Sequence, residues 1–128
     1  DLFPITAIMA LVTPGVTNFT NVSKYRYGES DRVESITYLI EAIDGEYEFD
    51  EEADVYTIYG IGKKIKNKKD TILNLCNDHR MVMSAGICAA NVEGEIECSY
   101  ALSINKSYPD FYIDYNNIGG KANVLDIR

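Results

Sequence analysis

The chain has 128 residues, of which 46% are hydrophobic and 25% are charged, and its formal net charge is −8. This composition excludes a disordered chain and predicts one globular domain over residues 1–128. The excess of 20 acidic over 12 basic residues disfavours nucleic acids and anionic membrane surfaces as partners.

The first segment, residues 2–16, is an uncharged apolar run, LFPITAIMALVTPGV. It is too short to span a bilayer, and Pro4 and Pro14 bracket it. We therefore predict a buried strand over residues 5–12, with a membrane-active segment as the alternative.

A polar stretch follows at residues 17–31, and its Asn, Ser and Gly content predicts a long loop with one short edge strand near residues 22–27. Asn18, Asn21 and Asn105 each begin an Asn-x-Ser/Thr triplet and are predicted glycosylation acceptors. Because the chain also begins with Asp rather than Met, the expectation is a processed protein that is secreted and extracellular.

Residues 33–43 fit both periodicities. Ile36, Ile40 and Ile43 recur at helical spacing, and Asp31 resembles a helix cap. The same segment also alternates as a strand would, and its β-branched and aromatic content favours that prediction.

An acidic segment, residues 44–54, carries seven carboxylates and no basic residue. If its first half is extended, the charges line one face and the aromatic side chains line the other. Three interpretations stay open: a bound cation, compensation by the lysines of residues 63–69, or docking of a basic protein. The hypothesis of a basic partner gives these contact residues: Asp44, Glu46, Tyr47, Glu48, Phe49, Asp50, Glu51, Glu52, Asp54 and Tyr56.

The remaining segments read mainly as short strands with turns between them. A lysine-rich exposed turn is predicted at residues 63–70. Together these patterns predict a mainly β protein, an antiparallel β-sandwich of about seven to eight strands with room for one short helix. The later predicted strands lie at residues 55–61, 71–76, 81–90, 95–104, 110–115 and 122–127.

The chain has three cysteines, an odd number. A hairpin loop centred on Glu93 would place Cys88 opposite Cys98 and predicts a disulfide between them. Cys76 would then be free for an intermolecular disulfide. The alternative is that all three are reduced and packed in the interior.

Motifs for catalysis are scarce. The one histidine, His79, falls in a predicted turn beside Asp78 and is interpreted as a surface residue. The cysteine and histidine spacings do not fit a zinc site, and the acidic segment does not fit the calcium loop. We therefore predict no enzyme activity, no metal and no cofactor.

The order of three features, EEADVYTIYGIGKKI, GEIECSYALSI and ANVLDI, resembles poxvirus secreted chemokine-binding and immune-evasion β-sandwiches. The resemblance covers residues 30–128. It implies a viral immune-evasion protein that sequesters a host chemokine or cytokine, with residues 44–54 and the following strand as the contact region. The rival hypotheses are a secreted toxin subunit whose residues 2–16 insert into a membrane, and an enzyme with a carboxylate pair in a pocket.

Overall fold

A computed structural model describes residues 1–61, 65–66 and 72–125, with the backbone alone at residues 65–66. Helices and short strands alternate along the chain. The elements in order are α1 (Phe3–Val12), β1 (Gly15–Thr20), a first 3-10 helix (Val22–Arg26), α2 (Arg32–Ala42), β2 (Glu46–Asp50), β3 (Val55–Gly60), β4 (Ile65–Lys66), β5 (Ile72–Leu73), α3 (His79–Ala89), β6 (Val92–Glu93), β7 (Glu97–Cys98), a second 3-10 helix (Ala101–Lys106) and α4 (Phe111–Asn117).

The strands form three small sheets within the described part of the chain. In the largest, β3 lies between β1 and β2 and is antiparallel to both, with Phe19 and Phe49 both opposite Tyr56. The other two sheets are the parallel pairs β4 with β6 and β5 with β7. The fold is therefore mixed α/β, and the predicted β-sandwich is wrong.

The apolar run near the start forms α1, so the strand predicted at residues 5–12 is wrong. Pro4 lies in the first turn, where its missing N–H costs no hydrogen bond, and Ile8 and Leu11 are buried. A run that is apolar on every side shows neither period, so its length and its alanines were the better guide. No helix in the described ranges is long and apolar enough to cross a bilayer.

Residues 33–43 are also helical, as α2, so the favoured strand is wrong and the helical alternative is confirmed. The Asp31 carboxylate accepts a hydrogen bond from the Glu34 backbone N–H at 3.0 Å and caps the helix. Val33, Ile36 and Ile40 face the core. The capping signal therefore outweighed the β-branched content.

Two further predicted strands are helices. Residues 81–90 lie almost wholly in α3, which Asp78 caps and whose Met81, Val82, Ala85 and Cys88 are buried. The segment predicted as a strand at residues 110–115 begins α4. The second 3-10 helix replaces most of the strand predicted at residues 95–104, of which only β7 is a strand.

Several smaller predictions also change. The edge strand near residues 22–27 is the first 3-10 helix, and part of the predicted loop before it is β1. Residues 121–125 have no regular structure, and the rest of the strand predicted at 122–127 lies outside the described residues. The lysine-rich turn at 63–70 falls outside them too, apart from the backbone of β4.

The acidic segment and the strand after it are predicted correctly. In β2 the side chains of Tyr47 and Phe49 are half-buried, whereas Glu46, Glu48 and Asp50 are exposed. β3 begins at Val55, as predicted. The alternation thus separates a charged face from an aromatic one.

The core lies between the three longest helices and the aromatic face of the largest sheet. The Phe3 ring stacks on Tyr25 with a centroid separation of 4.9 Å, and Tyr47 stacks on Tyr56 at 5.6 Å. Tyr56 is fully buried and its hydroxyl meets Thr37 Oγ1 at 2.7 Å. Its predicted role as a surface contact residue is therefore ruled out.

The hairpin on which the predicted disulfide depended is absent, because Cys88 lies inside α3. All three cysteines are free: Cys76 is exposed, Cys88 is buried and Cys98 is half-buried. Burial raises the pKa of Cys88 to about 12, so this thiol stays protonated and packs as an apolar group.

Candidate functional site

The first turns of α1, α2 and α3 meet at one end of the molecule. Ion pairs join residues at these three helix starts: Arg32 contacts both Asp1 and Asp78, and Arg80 contacts Asp1. Helix N-termini carry a partial positive charge, so their convergence favours anions. We call the set formed by Asp1, Glu29, Arg32, Asp78, His79, Arg80, Lys106 and Ser107 the helix-start cluster.

A buried ion pair lies at the base of this cluster. Arg32 Nε is 2.9 Å from Asp78 Oδ2, the Asp78 side chain is fully buried, and the Arg32 side chain is 10% exposed. Asp78 also accepts hydrogen bonds from Ser30 Oγ at 2.6 Å and from the Arg80 backbone N–H at 3.0 Å. One carboxylate thus caps α3 and fixes the start of α2.

Glu29 is the centre of the more open part of the cluster. One of its carboxylate oxygens accepts a hydrogen bond from Lys106 Nζ at 3.0 Å, and the other lies 3.1 Å from His79 Nε2. Arg32 Nη2 approaches the second oxygen at 3.6 Å. Lys106 also donates to the Asn77 backbone carbonyl at 3.1 Å, which ties it to the loop before α3.

The pKa values of the two inner carboxylates are both lowered. For Glu29 the main cause is the hydrogen bond from Lys106, assisted by His79. Burial alone would raise the pKa of Asp78, but hydrogen bonds from Arg32 and Ser30 outweigh it. Both groups are therefore ionised at neutral pH.

Two cationic side chains of the cluster face outward. The Arg80 side chain is 39% exposed and the Lys106 side chain is 44% exposed, while Arg32 lies behind them. Arginine and lysine at a helix start are the groups that bind phosphate or carboxylate. The cluster is consequently a region where an anion can bind a chain whose net charge is strongly negative.

A metal fits this site poorly. Glu29, Asp78 and His79 place possible metal-ligand atoms within 4.8 Å of one another. Among the described residues, they are the one group of three such side chains that lie this close together. However, Arg32 is hydrogen-bonded to Asp78, and Lys106 to Glu29. The positive charge that these carboxylates need is thus already supplied by side chains.

A cavity of about 940 Å³ lies elsewhere, between α3, α4 and β7. Its walls include Val82, Phe111, Tyr112 and Ile118. None of the helix-start residues lines it, and apolar side chains dominate its wall. Among the described residues, acidic, basic and imidazole side chains converge at the helix-start cluster rather than at this cavity.

None of the residues predicted to bind a partner belongs to the helix-start cluster. The exposed ones are Asp44 before β2, Glu46, Glu48 and Asp50 on β2, and Glu51 and Glu52 in the turn after it. Asp54 is half-buried and accepts hydrogen bonds from the Ser23 backbone N–H and hydroxyl at 2.9 and 2.7 Å. Glu51 lies 3.4 Å from Arg26. The three predicted glycosylation sites, Asn18, Asn21 and Asn105, are exposed, and their modification stays a prediction.

Sequence reasoning missed every member of the cluster. The signal that could have found them is the position of charged residues directly before two amphipathic segments, ESDR before α2 and DHR at the start of α3. His79 was predicted to be a surface residue, yet its side chain is only 12% exposed and both ring nitrogens have partners. A single histidine at the start of a helix is a stronger indication of a functional site than a histidine in a turn.

The model of the family EPSP synthase (3-phosphoshikimate 1-carboxyvinyltransferase) matches residues 1–114. Among curated relatives, the 3-phosphoshikimate 1-carboxyvinyltransferase of Clostridium novyi is 30% identical over 123 residues, which is 94% of this chain and 26% of the relative. That of Caldicellulosiruptor saccharolyticus is 34% identical over 113 residues, 88% of this chain and 25% of the relative. The chain thus spans about a quarter of the length of the curated relatives it matches.

A solved structure has the same fold. An EPSP synthase from Acinetobacter baumannii superimposes with a TM-score of 0.82 at 21% identity, over 97% of this chain and 28% of that one.

These matches correct the remaining predictions. The resemblance to poxvirus immune-evasion proteins is wrong, and so are the chemokine or cytokine partner, the toxin alternative and the secreted location that followed from them. The prediction of no enzyme activity is wrong as well, because the chain is related to enzymes, and both relatives described above are named as carboxyvinyltransferases. With a match over residues 1–114 of 128, the chain belongs to the EPSP synthase family.

Proposed function

We propose that the helix-start cluster is part of the active site of a 3-phosphoshikimate 1-carboxyvinyltransferase. The observation that carries this proposal is the meeting of three helix starts, three basic side chains, three carboxylates and an imidazole at one point of the fold. Family membership supplies the reaction named for the relatives. The chain supplies one part of the site, because it spans only about a quarter of those relatives.

The cationic side of the cluster binds an anionic group of the substrates in this proposal. Arg80 and Lys106 have exposed side chains next to the start of α3, so they can reach a ligand in solvent. A guanidinium fork and a helix N-terminus both suit a phosphate or a carboxylate. Because Arg32 is held by the buried Asp78, it contributes fixed positive charge from behind.

The Glu29 and His79 pair serves proton transfer in this proposal. Transfer of a carboxyvinyl group to a hydroxyl requires that the hydroxyl lose its proton, so a proton acceptor must lie at the site. Glu29 is ionised, and it lies 3.1 Å from an imidazole that can take or return a proton. The pair is therefore suited to acid and base catalysis beside the bound anion.

The experiment replaces the matched region of the Clostridium novyi relative with this chain and measures carboxyvinyl transfer to 3-phosphoshikimate. In that chimera we expect Glu29→Gln and Lys106→Met each to lower kcat/KM by about a hundredfold or more, as for loss of an acid–base or charge-stabilising group. Glu48→Gln, on the exposed face of β2, is the matched control and should retain full activity.

Two results would count against the proposal. One is a Glu29→Gln chimera that turns over as fast as the unsubstituted chimera. The other is a chimera that melts cooperatively and yet transfers no carboxyvinyl group. Melting curves for every variant separate loss of chemistry from loss of fold.

A further inference from the structure

His79 has a partner on each side of its ring. Nε2 lies 3.1 Å from a Glu29 carboxylate oxygen, and Nδ1 lies 2.5 Å from Ser107 Oγ. The Ser107 contact is not needed for the ion pairs of the cluster, so it calls for its own explanation. That explanation concerns which of the two ring nitrogens carries the hydrogen in the neutral imidazole.

The chemistry of the two partners decides the tautomer. An ionised carboxylate can only accept hydrogen bonds, so the nitrogen that faces Glu29 must carry a hydrogen. In a neutral ring the other nitrogen then has a lone pair and needs a donor. The Ser107 hydroxyl can donate to it, and the same hydroxyl can rotate and accept when the ring takes a second proton.

The backbone holds Ser107 in place for this task. It directly follows the second 3-10 helix, and its backbone N–H donates to the Ile104 carbonyl at 3.1 Å. The residue before it is Lys106, which hydrogen-bonds the Glu29 carboxylate. Lys106 therefore holds Glu29, and the next residue, Ser107, holds His79.

We propose that Ser107 is a positioning residue that fixes the His79 ring as the Nε2–H tautomer, with Nε2 on the side of Glu29. This inference rests on the proposed function only for its consequence in catalysis. The charged groups around the ring are Glu29, Asp78 and Arg32 from the starts of α2 and α3, Arg80 beside it, and Lys106 from the second 3-10 helix. Each of these has another partner, which leaves the Nδ1 side to the neutral hydroxyl.

The test uses nitrogen NMR on the full chain labelled with ¹⁵N-histidine. The sequence contains one histidine, so the ring signals belong to His79 without further assignment. Above the pH at which the ring loses its second proton, we expect the proton on Nε2 and an Nδ1 signal shifted by an accepted hydrogen bond. In Ser107→Ala the Nδ1 signal should move towards the position of an unbonded lone pair, and Ser107→Thr should restore it.

Ser103→Ala is the matched control. Ser103 lies in the second 3-10 helix, is buried, and its hydroxyl has no hydrogen-bond partner among the described residues, so its removal should leave the His79 signals unchanged. A wild-type spectrum with the proton on Nδ1 would overturn the inference. So would an Nδ1 signal that is the same in the wild type and in Ser107→Ala.

The kinetic arm uses the chimera with the Clostridium novyi relative. We expect Ser107→Ala to lower kcat by roughly ten- to a hundredfold, with a smaller change in KM and with recovery in Ser107→Thr. If the NMR result holds and the unsubstituted chimera is inactive, the proposed function fails and the positioning role stands. If the chimera responds to Glu29→Gln while Ser107→Ala changes neither spectrum nor kcat, the positioning role alone fails.

Discussion

Arg32 is the residue on which the helix-start cluster depends. Its side chain is nine-tenths buried, and its guanidinium approaches Asp78 at 2.9 Å, Asp1 at 3.5 Å and Glu29 at 3.6 Å. A buried charge is tolerated only with such partners, because removal of one leaves the other without compensation. The pair with Asp78 is the closest of these and the only one with a fully buried carboxylate.

Asp78→Asn should therefore destabilise the fold. The amide keeps the shape of the side chain and can still cap α3, but it leaves the buried guanidinium without its nearest charge. We expect a loss of about 3 kcal/mol in the free energy of unfolding, measured with urea. The control is Glu51→Gln, which breaks an exposed ion pair with Arg26 and should leave the stability unchanged within error. Equal stability of the two variants would contradict the assignment.

The lowered pKa values of Glu29 and Asp78 predict a stability that falls with acid. Because each carboxyl binds its proton less readily when folded, the unfolded chain takes up more protons as the pH drops. Their stabilisation is complete above the unfolded pKa of about 4 and is lost as the pH falls through the folded values. Urea melts between about pH 6 and pH 2 measure this slope. Asp78→Asn should flatten it, and parallel curves for the variant and the wild type would argue against the prediction.

The roles of individual residues were harder to predict from the sequence than the secondary-structure elements. The charge of residues 44–54 stands out because it is contiguous, whereas the helix-start cluster draws its members from positions 1 to 107. In the sequence, each member has only a few charged neighbours, and no pattern shows which residue it contacts in the fold. Only the fold brings Glu29 to His79 and Lys106.

At the scale of elements, close backbone packing fixes where β3 can lie. A Cβ on Gly60 would be 1.7 Å from the Thr13 carbonyl oxygen and 2.5 Å from that of Ala10. The backbone N–H of Ile61 donates to the Leu11 carbonyl at 2.9 Å, so the end of β3 is bonded to the end of α1. Only glycine permits this approach.

We accordingly expect Gly60→Ala to cost about 3 kcal/mol or more in unfolding free energy, because two backbone segments would have to separate. Thermal melting with circular dichroism measures the change. Gly28→Ala is the control, since a Cβ there meets nothing within 4 Å. A Gly60→Ala protein with the same melting temperature as the Gly28→Ala control would show that β3 can move away from α1 at little cost in free energy.

The predictability of the elements depended on which signal was visible. β2 and β3 were predicted because alternation between charged and aromatic residues is unambiguous. α1 and α3 were missed because runs of alanine, methionine and isoleucine do not distinguish the helical period from the strand period, and only the cap at Asp78 marked the start of α3. The two parallel pairs, β4 with β6 and β5 with β7, join strands that are distant in sequence, and no local pattern encodes that pairing.

At the scale of the whole molecule, the packing of three helices with their starts together accounts for the site. α1, α2 and α3 contact one another, and α1 and α2 also pack against the largest sheet, while the N-termini of all three helices collect the charged residues at one end. Exposed acidic residues on β2 and the turn after it carry much of the negative net charge. At the helix starts themselves, three basic side chains balance three carboxylates, so this end is less acidic than the chain as a whole.

The measurement that tests this account most directly is a backbone NMR titration of the full chain with 3-phosphoshikimate, with shikimate, which lacks the phosphate, as the reference ligand. We predict perturbations at residue 1, at 29–32, at 78–80 and at 106–107, stronger for the phosphorylated ligand and abolished in Arg80→Gln. Perturbations confined to the acidic face of β2 or to the cavity beside α4, or equal responses to both ligands, would contradict it.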